Sequence, residues 1–293
     1  MLPGKSEAAA QAQLLSGDSS AIAFQQEIVA TMSGYGVHGE DGPGVRSSPD
    51  ERRTSAEYLE RVFRSLQLVP QRHEYRLPNA NGLVDILLPP FKGTNIFSVI
   101  EATREEAPFI IIGAHYDSEP GSPGAGDNAT GVAVVFSLAY KLDQLESRSF
   151  NYIVVCFDQE EDDEVGSEAF VRFLTKRYPD IHSVHITDLA GWDEDGDGVI
   201  EVQSPGMYLE SRYRLASDRL GVPIEVTQGA SSDNKSFLEA GFETAGVFGD
   251  VTRDLHKPTD TFDKVDFQFM HRLTNLMFEV FSSMPIDGEV DGL

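Results

Sequence analysis

The 293-residue chain has one cysteine, Cys156, so an intrachain disulfide is excluded. That cysteine sits in the apolar run Ile153-Val154-Val155-Cys156-Phe157, which predicts a buried, inert thiol. No stretch approaches the roughly 18 consecutive apolar residues that span a bilayer, which excludes an integral membrane helix and predicts no membrane partner. Basic residues are scarce: 23 Lys and Arg stand against 48 Asp and Glu, a net charge of −25. Such a surface repels phosphate backbones, so no nucleic-acid partner is expected. It attracts metal ions and protonated amines. Met1 to Gly17 is small and polar with no apolar core, so no signal peptide is visible. Compartment and oligomeric state stay open. No Gly-x-Ser-x-Gly elbow occurs, which discounts a serine hydrolase despite Ser118, Ser167 and Ser232.

With 40% apolar and 24% charged residues, the chain has the composition of a packed globular protein. It shows no linker or repeat. Residues 1–20 read as a flexible N-terminal segment, 21–285 as a single domain and 286–293 as a flexible tail. An amphipathic helix is predicted over 50–67, with Tyr58, Val62, Phe63 and Leu66 on one side. Strands at 72–76, 83–88 and 95–100 form an antiparallel opening. Strands then alternate with helices. The strands fall at 109–113, 151–157, 183–187, near Val199, at 223–227 and at 244–248. The helices fall at 130–145, 167–177, 208–220, 234–240 and 266–283. Short apolar runs such as Phe109-Ile110-Ile111-Ile112-Gly113 suit strands covered on both faces. The prediction is an α/β fold: a three-layer α/β/α sandwich around a mostly parallel, mixed sheet.

In such sheets ligands bind beyond the carboxyl ends of the strands. One strand delivers His115-Tyr116-Asp117 and then Asp127-Asn128 at that edge. The next delivers Asp158-Gln159-Glu160-Glu161, the third Asp188, and a later loop His256 and Asp260. Two imidazoles with several carboxylates and no available thiolate suit Zn²⁺. If Asp127 bridges two ions, His115 and Asp188 complete one site, and Glu161 and His256 the other. Each ion keeps an open position for water. Glu160 is then the general base, taking a proton from the bridging water and passing it to the leaving amine. Asp117 is placed to orient His115, and Asp260 to orient His256.

Six segments resemble the dinuclear zinc aminopeptidases. They are Gly113-Ala114-His115-Tyr116-Asp117-Ser118, Gly124-Ala125-Gly126-Asp127-Asn128-Ala129-Thr130-Gly131, Phe157-Asp158-Gln159-Glu160-Glu161, Gly166-Ser167, Ser232-Asp233 and His256-Lys257-Pro258-Thr259-Asp260-Thr261. Their order and spacing over residues 50–285 carry the resemblance. It implies a phosphorylase/hydrolase-like sandwich, two Zn²⁺ on His115, Asp127, Glu161, Asp188 and His256, and Glu160 as base. It also implies a supporting role for Asp233, a cis peptide at Asp127–Asn128 and peptide substrates with a free N-terminus. Two tyrosine positions seen in some members are Leu255 and the stretch Gln228-Gly229-Ala230-Ser231 here. Leu255 and Phe248 instead resemble the lining of the first substrate pocket, suiting a bulky aliphatic or aromatic N-terminal residue. The nearest rival is a glutaminyl cyclase, which shares the fold and uses one zinc for acyl transfer. A tryptophan in place of Leu255 would favour it. A non-catalytic binding protein on the same fold would lack ligands or base.

His38, His73, His182, His185 and His271 read as structural, and Asp162, Asp163 and Glu164 as a solvated loop. One further motif runs from Asp193 to Glu201. Asp193, Asp195 and Asp197 fall at calcium-loop positions 1, 3 and 5, with Gly198 at 6, and Glu201 is the next oxygen donor. Position 12 would be Ser204. A Ca²⁺ site on Asp193, Asp195, Asp197 and Glu201 is thus the alternative to the plain reading of an acidic turn, which the missing twelfth ligand favours.

Overall fold

The computed structural model describes residues 18–36, 42–78 and 90–284. The strand expected at 83–88, His38 and the tail at 286–293 lie outside them.

The described chain opens with α1 (Asp18–Met32), a helix that the sequence pattern does not predict. Next comes α2 (Pro49–Ser65), opened by a capping box in which Ser48 accepts from the Glu51 amide and Glu51 reaches back, with Pro49 in the first turn. Such a cap is worth about 1 kcal/mol. After β1 (Gln71–Leu77) and β2 (Phe91–Ile100), strands and helices alternate as predicted. The order is β3 (Phe109–His115), α3 (Thr130–Asp143), β4 (Asn151–Phe157), α4 (Val165–Arg177), β5 (Ile181–Asp188) and β6 (Ile200–Gln203). There follow α5 (Met207–Leu220), β7 (Ile224–Thr227), α6 (Asn234–Glu239), β8 (Thr244–Phe248) and α7 (Phe267–Ser283).

The eight strands form one sheet in the order β1-β2-β4-β3-β5-β8-β6-β7. Its centre, β4-β3-β5-β8, is parallel, while β1, β2 and β6 pair antiparallel with neighbours. Strand alternation divides the core. Ile110, Ile112, Tyr152 and Val154 face the layer built by α1, α2, α3, α5 and α7. Ile111, Ile153, Val155, Val184 and Ile186 face the opposite layer, where Phe170 and Leu174 of α4 and Phe237 of α6 cover them. Burial of each large apolar side chain contributes about 1.5–3 kcal/mol. Helix α3 packs on one face after β3, and α4 on the other after β4. The chain therefore reverses its winding between β3 and β5, and a crevice opens beyond their carboxyl ends.

Candidate metal centre

Strand β3 ends at His115 and β5 at Asp188, so adjacent strands present both side chains at one edge. His115 Nε2 lies 3.2 Å from Asp127 Oδ1 and 3.4 Å from Asp188 Oδ2. His256 Nε2 lies 3.1 Å from Asp127 Oδ2 and 3.3 Å from Glu161 Oε2. The two oxygens of Asp127 thus face two different imidazoles. Glu160 Oε2 stands 3.9 Å from His115 Nε2. Glu119 joins Glu161 and His256, a neighbour that no sequence motif signals. His115 is fully buried, whereas the His256 side chain is 47% exposed, so the His256 side opens to solvent.

The loop carrying Asp127 is built for close approach. Gly124 has φ +61°, and a Cβ on Gly126 would lie 1.8 Å from the Trp192 indole nitrogen. The Asp127–Asn128 peptide is cis, as the resemblance implies. Gln159, Leu189 and His256, all beside the cage, hold left-handed backbone at φ +59°, +48° and +58°. Strained backbone of this sort concentrates at functional sites.

Asp117 Oδ1 lies 3.3 Å from His115 Nδ1, and its two oxygens accept the backbone N–H groups of Glu160 and Glu161 at 3.1 and 3.2 Å. One carboxylate therefore braces both β3 and the acidic turn after β4. Asp260 differs from expectation. Its oxygens accept the amides of Gly126 and Asp127 at 2.7 and 3.0 Å, so it holds the backbone of Asp127, not the His256 ring. The turn between His256 and Asp260 aims this buried carboxylate inward to the 124–128 loop. Asp233 is fully buried, and neither oxygen has a hydrogen-bond partner. Burial, with Asp117 and Asp188 nearby, pushes it up to about 7.

Two buried arginines were not legible from sequence. Arg46 donates to five backbone carbonyls: Tyr116, Met32, Gly44, Pro123 and Gly124. It ties α1 to the loop between Asp117 and Asp127, and Ser118 accepts its backbone amide. Burial lowers it to about 10, against the pull of Asp260 and Asp117. Arg52 Nε lies 2.8 Å from Asp158 Oδ1, so Asp158 faces α2 and not the cage.

The cage is short of positive charge. Burial, then Asp127, pushes Glu161 up to about 8. Burial also raises Glu160 well above the carboxylate range. Burial opposes charge on His115, but Asp188 and Glu160 raise it well above the usual imidazole range. Asp127 raises His256 to about 9. Neither nitrogen of buried His115 completes a hydrogen bond. Buried imidazole nitrogens aimed at unneutralised carboxylates fit divalent cations, and two imidazoles with carboxylates are a zinc-type donor set.

Beside the cage lies a cavity of about 200 Å³ lined by Phe248, Val251, Leu255, Glu201, Gln203 and Ser231 together with the cage carboxylates. Phe248 and Leu255, expected as pocket residues, both line this cavity. No tyrosine lines it among the described residues. Asp193, Asp195 and Asp197 do gather in one loop, but each accepts a backbone amide there. Glu201 does not join them. Strand β6 begins at Ile200, and its register puts Glu201 opposite Phe248, turned to the cavity. Among the described residues, His73, His182, His185 and His271 stay outside the cage; His185, for instance, is buried against Ser183 and Tyr213. No described helix is long and apolar enough to cross a membrane.

The model of peptidase family M28 matches residues 95–281, from β2 through α7, and spans every cage residue. The chain belongs to peptidase family M28. Among its curated relatives, aminopeptidase YwaD of Bacillus subtilis is 28% identical over 196 residues. That alignment takes in 62% of this chain and 43% of the relative, so the chain spans under half the length of that relative. In fold, this M28 chain is similar to BSAP, a zinc aminopeptidase from Bacillus subtilis, at TM-score 0.77 and 15% identity, covering 88% of this chain and 94% of that one. It is also similar to a Bacteroides thetaiotaomicron glutaminyl cyclase bound to N-acetylhistamine, at TM-score 0.72 and 16% identity, covering 92% and 98%.

Proposed function

We propose that this M28 chain is a metal-dependent aminopeptidase that removes N-terminal residues from peptides, with two zinc ions and Glu160 as general base. The observation that carries it is the disposition of Asp127, whose Oδ1 faces His115 and whose Oδ2 faces His256. His115 and Asp188 would hold one ion, Glu161 and His256 the other, with Asp127 between. Zinc bound there supplies Lewis-acid polarisation of a carbonyl and a nucleophile at neutral pH. Glu160 holds the proton that must travel. Its Oε2, 3.9 Å from His115 Nε2, would accept that proton and give it to the departing amine. Asp117, through the Glu160 and Glu161 amides, keeps that carboxyl in place. The acidic surroundings draw the substrate's ammonium end toward the cage.

The test is hydrolysis of a panel of aminoacyl anilides after chelation and zinc replacement, beside cyclisation of a glutaminyl anilide. Loss with chelator and recovery with zinc on the hydrolytic panel is the expected result. Cyclisation without hydrolysis would replace this reading by the single-metal cyclase, and chelator-resistant hydrolysis would overturn the metal mechanism.

A further inference from the structure

We propose that Glu201 makes the pocket selective for peptides whose first residue carries a cationic side chain, lysine or arginine. This rests on the aminopeptidase reading above and names its substrate class. The apolar wall of Phe248, Val251 and Leu255 would by itself favour aliphatic or aromatic side chains. Glu201 alters it. In the β6–β8 pairing Glu201 stands directly opposite Phe248, so carboxylate and ring share one face of the sheet. Gln203, two residues on, stands opposite Gly246 and also lines the cavity.

Glu201 is also chemically unspent. Thr227 Oγ1 donates to its Oε1 at 2.6 Å, which fixes the carboxylate's orientation. No lysine or arginine lines the cavity among the described residues. The imidazole of His256 is committed to Asp127 and Glu161. Among the described residues, Glu201 is not gathered into any metal-type cluster. An anion fixed at an apolar wall matches the two-part character of lysine and arginine: the methylene stem packs on Phe248 and Leu255 while the charged head meets the carboxylate. Gln203 and Ser231, themselves hydrogen-bonded to one another, add acceptors at the same end.

The experiment compares kcat/KM for lysyl, arginyl, norleucyl and leucyl anilides on the zinc-loaded protein and on Glu201→Gln and Glu201→Leu. Lysine and norleucine differ by the charged head alone. The proposal predicts that the wild-type protein favours lysyl over norleucyl at least tenfold, and that Glu201→Gln removes most of that ratio while the norleucyl rate stays within a few-fold. Glu201→Leu inverts it. A wild-type protein that favours norleucyl, or a ratio unmoved in Glu201→Gln, overturns the proposal and leaves the aminopeptidase reading standing. Equal loss on all four substrates in Glu201→Gln overturns it as well, because the residue would then serve every substrate alike. Hydrolysis of none by the zinc-loaded wild type sinks the aminopeptidase reading, and the proposal with it. Should a variant fail to fold, inhibition of the wild type by free lysine and by free norleucine decides the matter. Tighter inhibition by lysine supports the proposal, and tighter inhibition by norleucine overturns it.

Discussion

Asp117 Oδ1 lies 3.3 Å from His115 Nδ1, on the side of the ring away from Asp127, while its two oxygens hold the amides of Glu160 and Glu161. The carboxylate thereby fixes a candidate ligand and a candidate base at once. Replacing Asp117 by Asn is expected to weaken zinc binding about 10- to 100-fold, as loss of a ligand's carboxylate partner does elsewhere. Competition against a chromogenic chelator measures it. Unchanged affinity would show that Asp117 does not brace the cage.

Glu160 is assigned the proton and not the metal. Glu160→Gln should keep its zinc content and lose about 10²–10⁴-fold in kcat. Elemental analysis and steady-state kinetics on one preparation separate the roles. Loss of zinc in the variant would make Glu160 a ligand, which its 3.9 Å approach to His115 also permits.

The cage groups give a signed pH dependence. In the metal-free protein Glu161 is raised to about 8, Asp233 to about 7 and His256 to about 9, and outside the cage Asp158 is raised to about 7. Each then holds more protons folded than unfolded, so each loses stabilisation as pH rises toward its folded value. Below about 6.5 the half-buried His73, lowered to about 4, and the buried His185, lowered to about 3, work in the opposite direction. The net fall in the metal-free melting temperature is therefore expected between pH 6.5 and 9. Zinc, which displaces the protons on Glu161 and His256, should flatten it and bind more tightly as pH rises. Thermal melts with and without chelator across that range check both statements. A metal-free melting temperature that rises over the same window would contradict the charge arrangement.

Arg46 satisfies five carbonyls from three separate stretches of chain. Arg46→Met leaves those buried acceptors unpartnered, and a single such loss costs about 1–3 kcal/mol. A stability loss of at least about 3 kcal/mol is expected in denaturant titration, together with weaker zinc binding because the 117–127 loop loosens. A neutral substitution would show that the loop holds without it.

Much of this architecture is written locally. Parallel strands such as 109–115 and 151–157 are near-continuous apolar runs that stop abruptly at polar residues, so their polar ends announce themselves. His115, Asp127, Glu160, Glu161, Asp188 and His256 could be read from that pattern, and the structure brings them together. What stayed hidden depends on contacts far apart in the chain. Asp260 meets amides 133 and 134 residues away, and neither end signals the other. Arg46 looks like any loop arginine until its carbonyl partners are assembled. Glu201 falls in an acidic Asp-x-Asp-x-Asp spacing and reads as a loop ligand. The onset of β6 one residue earlier turns it to the pocket instead.

The central claim is that Asp127 lies between two metal ions. Zinc content per chain, measured by elemental analysis after saturation and removal of excess metal, tests it most directly. Two zinc atoms per folded chain, with marked loss in Asp127→Asn, is the predicted result. A single tightly held zinc that survives the substitution would contradict it.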